Sequence, residues 1–258
     1  MPYHHINATE RQLMKLFYSP FHSFIHKVLV TLHETGNWDN TTFVPTFPFK
    51  NNDGEDVAGQ YSIAALNPLD KVPTLALESG QVIFGSQAIC EYLDSVSIAE
   101  RLYPEAGADR WDALTRLALC DTMFELTVQM VMEGWQPEEQ RRRDLYEWIW
   151  PKLERGLDKL EQSAALGWDR FDIGHAAALH MLSYTEFRFV FYGDKDPVRP
   201  NFDWRAGHPS LQAWYEEALT RPSVTAHYNV DFQGDKSARF HKAMVAEVLE
   251  AQKRNGTR

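Results

Sequence analysis

Apolar positions in the first part of the chain switch between two periods. Lys15-Leu16-Phe17-Tyr18 is a short apolar run closed by Ser19-Pro20, which reads as a strand running into a turn. From Ser23 the spacing becomes helical, with Phe24, Val28, Leu29 and Leu32 on one face and Gly36 as the stop. Thr42-Phe43-Val44 reads as a second strand, and the intervening helix makes the pair parallel. A polar loop at 51–54 leads into an expected helix at 55–66. Residues 74–77 and 82–84 are two short strands separated by Ser79-Gly80, a hairpin. Ser86 opens a further helix that buries Ile89, Leu93 and Val96.

Beyond Pro104-Glu105-Ala106-Gly107 the pattern is helical throughout. Leu114, Leu117, Phe124, Val128 and Val131 define the core face of a long helix ending near Gly134. A second run carries Leu145, Ile149, Leu153, Leu157 and Leu160, with Pro151 expected to kink or divide it. Helices are also predicted at 173–191 and 210–220, and a last amphipathic stretch places Phe240, Met244 and Val248 together. The fold class is therefore α/β plus all-α. A polar tail at 1–14 precedes an α/β domain at 15–97, a helical domain at 108–228 and a helical extension at 229–258.

Composition narrows the function. The 258 residues carry a formal charge of −10, with 44% hydrophobic and 24% charged residues, as in ordinary globular proteins. An acidic balance argues against nucleic acid, since phosphate binding needs a concentrated basic face. The one basic run, Arg141-Arg142-Arg143, is flanked by acids and reads as a solvated helix face. No apolar stretch approaches the roughly 20 residues of a membrane span, and residues 1–12 lack the apolar centre of a secretory signal. Cys90 and Cys120 both fall in apolar-periodic segments, where a free cysteine acts as a small hydrophobe. One disulfide between them is an alternative, but two cysteines exclude a disulfide-built secreted scaffold, and a reducing cytoplasm is expected.

Glycine-rich phosphate loops, zinc-protease histidine pairs and a hydrolase nucleophile elbow are all missing from the sequence. The chemistry concentrates in strand-to-helix junctions. The loop Tyr18-Ser19-Pro20-Phe21-His22-Ser23 enters a helix, whose unpaired N–H groups favour an anion. The Ser23 hydroxyl could hold a bound thiolate there, or serve only as a helix cap. Val72-Pro73 precedes a strand; a cis bond would turn the Val72 N–H and C=O towards an extended ligand, whereas a trans bond would be an ordinary strand entry. Ser86 suits a carboxylate, or is a cap. His22 and His26 flank the first loop as candidate bases. Phe21, Met123, Phe124 and Met130 are either pocket lining or core.

Taken together, Lys15-Leu16-Phe17-Tyr18-Ser19-Pro20, Leu66-Asn67-Pro68-Leu69-Asp70-Lys71-Val72-Pro73-Thr74-Leu75 and Gly85-Ser86-Gln87-Ala88-Ile89 followed by Glu91-Tyr92-Leu93 resemble the glutathione S-transferase superfamily. Phe171-Asp172-Ile173-Gly174-His175-Ala176 is similar to its helix-capping motif, and His208-Pro209-Ser210-Leu211 through Arg221-Pro222-Ser223-Val224 to its late helix. The resemblance implies a thioredoxin-like domain that binds glutathione and a helical domain that supplies the second substrate's pocket. By position it implies Ser23 as the activating hydroxyl, with His22, Ser19 and Tyr18 as rivals. It implies glutathione contacts from Lys71, Val72, Pro73, Ser86 and Gln87. The expected activity is conjugation of the glutathione thiolate to an apolar electrophile, without a metal, by a cytosolic detoxification enzyme that forms a homodimer. A non-catalytic binding member, or a glutathione-dependent lyase, isomerase or dehalogenase, are the alternatives.

Three departures accompany the resemblance. Gly85 stands where the family has an acidic residue that would pair the ammonium end of glutathione. His175 replaces the capping motif's aspartate, leaving Asp172 as the expected N-cap. No cysteine lies between Tyr18 and Phe24, which disfavours disulfide exchange.

Overall fold

A β-α-β unit forms where one short apolar strand is followed by a helix too long to allow a hairpin return. In the computed structural model β1 (Met14–Tyr18) and β2 (Thr41–Pro45) pair in parallel, Leu16 opposite Phe43, with α1 (Ile25–Glu34) between them. The structure describes residues 13–19, 24–46, 62–134, 136–192 and 196–226, with backbone alone for 45 and 187–192. β3 (Thr74–Leu77) joins β1 antiparallel, and β4 (Val82–Phe84) pairs antiparallel with β3. The sheet order β2-β1-β3-β4 is the thioredoxin-like arrangement.

Register sets the core. Met14, Leu16, Leu75 and Leu77 share one face of the sheet and are buried. α2 (Ser86–Ser95) packs on β3 and β4, and α1 packs on α2. Ile25, Val28 and Leu32 of α1 and Ile89 and Leu93 of α2 are fully buried, while Val96 falls just past the helix and is half-buried. Gly36 stops α1 as expected; its φ of +71° is the left-handed geometry that follows a helix end. The helix predicted at 55–66 lies mostly outside the described residues, and its described end, 62–66, is a turn region instead. There the Asp70 carboxylate accepts the Ile63 N–H at 2.8 Å, a local bond that replaces helical pairing.

The second compact unit starts at Leu102. It is helical: α3 (Gly107–Gly134), α4 (Arg143–Ala165), α5 (Ile173–Tyr192), α6 (Pro209–Ala218) and the short α7 (Pro222–Thr225), which the sequence pattern did not show. α3 packs most extensively on α5. Leu117, Phe124 and Val131 are buried as expected, but the buried side extends further round the helix: Leu114 and Val128 are half-exposed, whereas Ala113, Cys120 and Thr127 are buried. Small residues face α5 because the backbones approach closely there. A Cβ on Gly174 would lie 2.6 Å from the Ala113 carbonyl oxygen.

α4 also departs from expectation, since it runs unbroken through Pro151. Pro151 is exposed, so water can satisfy the carbonyl that loses its amide donor. The basic run is not one helix face. Arg142 precedes α4, its N–H and guanidinium both binding the Glu133 carboxylate, at 2.7 and 3.0 Å. Cys90 and Cys120 are buried free thiols, and Cys90 accepts a hydrogen bond from Thr31 Oγ1 at 3.3 Å. The stretch carrying Phe240, Met244 and Val248 lies outside the described residues.

Candidate functional site

Strand register brings three separated segments to one end of the sheet. Phe17 is opposite Thr74, and Thr74 is opposite Phe84. Tyr18 and Ser19 therefore leave β1 beside the entry of β3 at Val72 and Pro73, which lies beside the exit of β4 at Gly85 and Ser86. Two helix N-termini, those of α1 and α2, follow directly from this edge. Their first N–H groups have no intrahelical acceptor and favour negative charge.

The Val72–Pro73 bond is cis, and both residues are buried. Among the described residues no hydrogen bond takes the Val72 N–H or C=O. An extended peptide lying along this edge could pair with both groups, as an added strand would. Ser86 is the first residue of α2, preceded by Gly85 at φ +87°. Gly85 contributes no side-chain cap, and among the described residues no hydrogen bond takes the Ser86 hydroxyl. A carboxylate placed here would meet that hydroxyl and the open N–H groups of α2. Lys71 and Gln87, immediately outside these two positions, are exposed.

Tyr18 is half-buried with its ring edge-on to Phe43, and Ser19 is fully buried. His22 and Ser23, like Pro20 and Phe21, lie outside the described residues. The cap position of α1 falls on Phe24 rather than on Ser23. His26 has its Nδ1 shut away from solvent, and burial pushes its pKa down to about 4, so it is too weak a base to take a thiol proton near neutrality. Met123, Phe124 and Met130 are buried in α3, and Phe124 packs on His180 and Tyr184 of α5. They are core of the helical unit rather than pocket lining. Among the described residues no group of three acidic, histidine or cysteine side chains could hold a metal ion, and no helix is long and apolar enough to cross a membrane.

Asn67 positions the site without belonging to it. Its Nδ2 donates to the Lys71 carbonyl at 2.8 Å and to Thr74 Oγ1 at 3.1 Å, and its Oδ1 accepts the Leu69 N–H at 3.0 Å. Thr74 Oγ1 in turn donates to the Lys71 carbonyl at 2.8 Å. These bonds bracket Val72–Pro73 on both sides. An Asn-Pro pair marks a turn in the sequence, but nothing in the sequence pattern shows that its amide spans the loop.

Comparison with known proteins gives this edge a context. Residues 21–96 match the glutathione S-transferase N-terminal domain, and residues 109–217 match the glutathione S-transferase C-terminal domain. A glutathione transferase family member from Pseudomonas fluorescens Pf-5, solved with bound glutathione, is 31% identical with a TM-score of 0.70. The match covers 83% of this chain and 98% of that one. The GST-like protein YibF of Escherichia coli is 27% identical over 213 residues, 81% of this chain and 96% of its own. Maleylacetoacetate isomerase of Pseudomonas aeruginosa is 29% identical over 167 residues, 59% of this chain and 74% of its own. Both domains match in the order the fold requires, and one solved relative is matched over nearly its whole length, so this chain belongs to the glutathione S-transferase superfamily.

Proposed function

We propose that the protein is a glutathione transferase of the serine type, joining the glutathione thiolate to an electrophilic carbon of an apolar small molecule. The observation that carries the reading is the meeting of Val72 and Ser86 at one sheet end, in a family whose Pseudomonas fluorescens member was solved with glutathione bound. In this reading the Val72 backbone pairs with the cysteinyl part of glutathione, and Pro73 shapes that edge. Ser86 and the N-terminus of α2 hold the γ-glutamyl carboxylate, with Lys71 and Gln87 flanking. Ser23, just ahead of α1, donates a hydrogen bond to the sulfur, and the helix dipole adds to the stabilisation of the thiolate. Preorganised donors of this kind lower the barrier because they need no rearrangement when the sulfur attacks. A cytosolic location and a homodimeric state rest on the family resemblance alone.

A second reading is favoured by the match to maleylacetoacetate isomerase. An isomerase would use the same thiolate transiently, adding it to a double bond and expelling it after rotation. A non-catalytic role is favoured by Gly85, which offers no charge to the ammonium end of glutathione.

Glutathione binding and thiol activation are tested separately. At about 100 times its dissociation constant glutathione adds roughly 2.7 kcal/mol to the stability of the native state, raising Tm by about 5–10 °C. No rise at about 10 mM would remove the glutathione site. Ser23→Ala should keep binding and raise the pKa of the bound thiol by about one to two units, since a hydrogen bond to a charged group contributes roughly 1.5–3 kcal/mol. Thiolate absorbance against pH reads this out. Overlaying curves would move the role to Tyr18, Ser19 or His22, tested by Tyr18→Phe, Ser19→Ala and His22→Ala. Turnover of an electrophile separates the transferase from the non-catalytic reading. Interconversion of cis and trans alkenes, without consumption of glutathione, identifies the isomerase.

A further inference from the structure

Asp172 and His175 sit at the entry to α5, far along the chain from the glutathione edge, and bind one another in both directions. The His175 N–H donates to Asp172 Oδ1 at 3.0 Å, and the Asp172 N–H donates to His175 Nδ1 at 3.0 Å. This is the reciprocal pattern of a capping box, in which the third helical residue is ordinarily Glu or Gln. Imidazole can fill that place only while Nδ1 carries a lone pair, with its proton on Nε2.

The surroundings oppose a second proton. His175 is 2% exposed. From α3, Arg116 Nη1 reaches both oxygens of Asp172 at 3.0 Å and lies 3.3 Å from His175 Nδ1. Arg221, ahead of α7, stacks on Phe171 with 4.2 Å between guanidinium and ring, and adds a second positive charge near the imidazole. Trp168 and Trp214 close the remaining sides with ring centroids at 4.6 and 5.6 Å, and the buried Nε2 meets no hydrogen-bonding oxygen or nitrogen among the described residues. Among the described residues, the one group that would welcome a proton on Nδ1 is Asp172, whose Oδ1 is 3.0 Å away. That carboxylate is already paired to Arg116, and a proton on Nδ1 would face the Asp172 N–H donor at the same distance.

We propose that His175 is a proton-operated latch on the first turn of α5. Neutral, it closes the capping box by accepting the Asp172 N–H. Protonated, it turns from acceptor to donor, swings its bond to the Asp172 carboxylate and leaves the Asp172 N–H buried without a partner. Because α5 is the helix on which α3 packs most extensively, loosening this turn loosens the core of the helical unit.

The direction of the pKa agrees. Burial pushes His175 below the usual histidine range; Asp172 pulls it back in part, and Arg116 and Arg221 push it down again. The unfolded chain then binds a proton below about pH 6.5 that the native chain refuses, so unfolding takes up a proton. The His175 contribution to stability is full well above about pH 6.5 and is lost as pH falls towards the folded pKa, by at most about tenfold in the folding constant for each pH unit in that window.

His26 and His33 are also pushed down by burial, so the wild-type slope alone does not isolate His175. The test compares the full chain with His175→Gln, whose amide oxygen can accept the same N–H but does not titrate. Urea unfolding is measured from about pH 7.5 to about pH 5. The expected result is a folding constant that falls more steeply below about pH 6.5 in wild type than in H175Q, by at most about tenfold per pH unit. Parallel slopes overturn the proposal. Long-range nitrogen-proton spectra of wild-type histidines give an answer that does not depend on the variant folding. A neutral His175 with bare Nδ1, titrating below about 6.5, supports the latch; a proton on Nδ1 at neutral pH, or titration at or above about 6.5, overturns it.

Discussion

Glu161, on α4, caps the start of α6 from another helix: its Oε2 accepts the Leu211 N–H at 2.8 Å, and its Oε1 accepts the Ser210 N–H at 3.1 Å. His208, the N-cap of α6, supplies no side-chain cap of its own. Burial works to raise the Glu161 pKa, yet the two N–H groups outweigh it and hold the carboxyl below its ordinary value. A depressed folded pKa means stability present above about pH 4.5 and lost as pH falls through the folded value. Glu161→Ala should cost ~1 kcal/mol near neutrality, kept small because the carboxylate is partly solvated. The difference from wild type should vanish in acid. Denaturation at about pH 7 and about pH 3 checks both statements.

Gly174 allows α5 to approach α3. An added Cβ would lie 2.6 Å from the Ala113 carbonyl and 2.8 Å from the Arg116 Cβ. Because the nearer atom is backbone, the helix itself must shift. Gly174→Ala should lower stability by ~1–3 kcal/mol despite the better helix propensity of alanine. Equal or higher stability in equilibrium unfolding would show that α5 can shift freely.

Asn67 offers a test of site positioning. Removing its amide leaves the Lys71 carbonyl with one donor fewer and frees the loop before β3. Asn67→Ala should lower stability by ~1–3 kcal/mol. Glutathione affinity should fall too, measured by calorimetry well below the variant's Tm. Loss of stability with unchanged affinity would assign Asn67 to folding alone.

Gly85 is held in a backbone geometry that favours glycine. Nothing lies within 4 Å of a Cβ built there, so space is available, but its φ of +87° strains any other residue. Gly85→Glu should therefore lose ~1–3 kcal/mol of stability. Pairing with the ammonium of glutathione would return only ~0.2–1 kcal/mol in binding. A lower Tm with equal or tighter glutathione binding is the expected result. Gly85→Ala, which has the strain and lacks the charge, separates the two effects.

Local chemistry wrote much of this protein into its sequence. Strands β3 and β4 fall where the apolar runs end at Ser79-Gly80, and α1 stops at Gly36, because period and turn residues act within a few positions. The family resemblance was legible because its motifs sit at those same strand and helix junctions. Long-range packing was not legible. The extension of the buried side of α3 to Ala113, Cys120 and Thr127 depends on how closely α5 approaches, and the continuity of α4 depends on which side of it Pro151 faces. Asp172 as partner of His175 could be anticipated from spacing. The Arg116 that joins them comes from a residue 56 positions earlier, and the cap of α6 from one 50 positions earlier. A sequence names which groups can donate or accept; only the folded chain decides which of them meet, because each buried polar group must find its partner wherever packing has placed one.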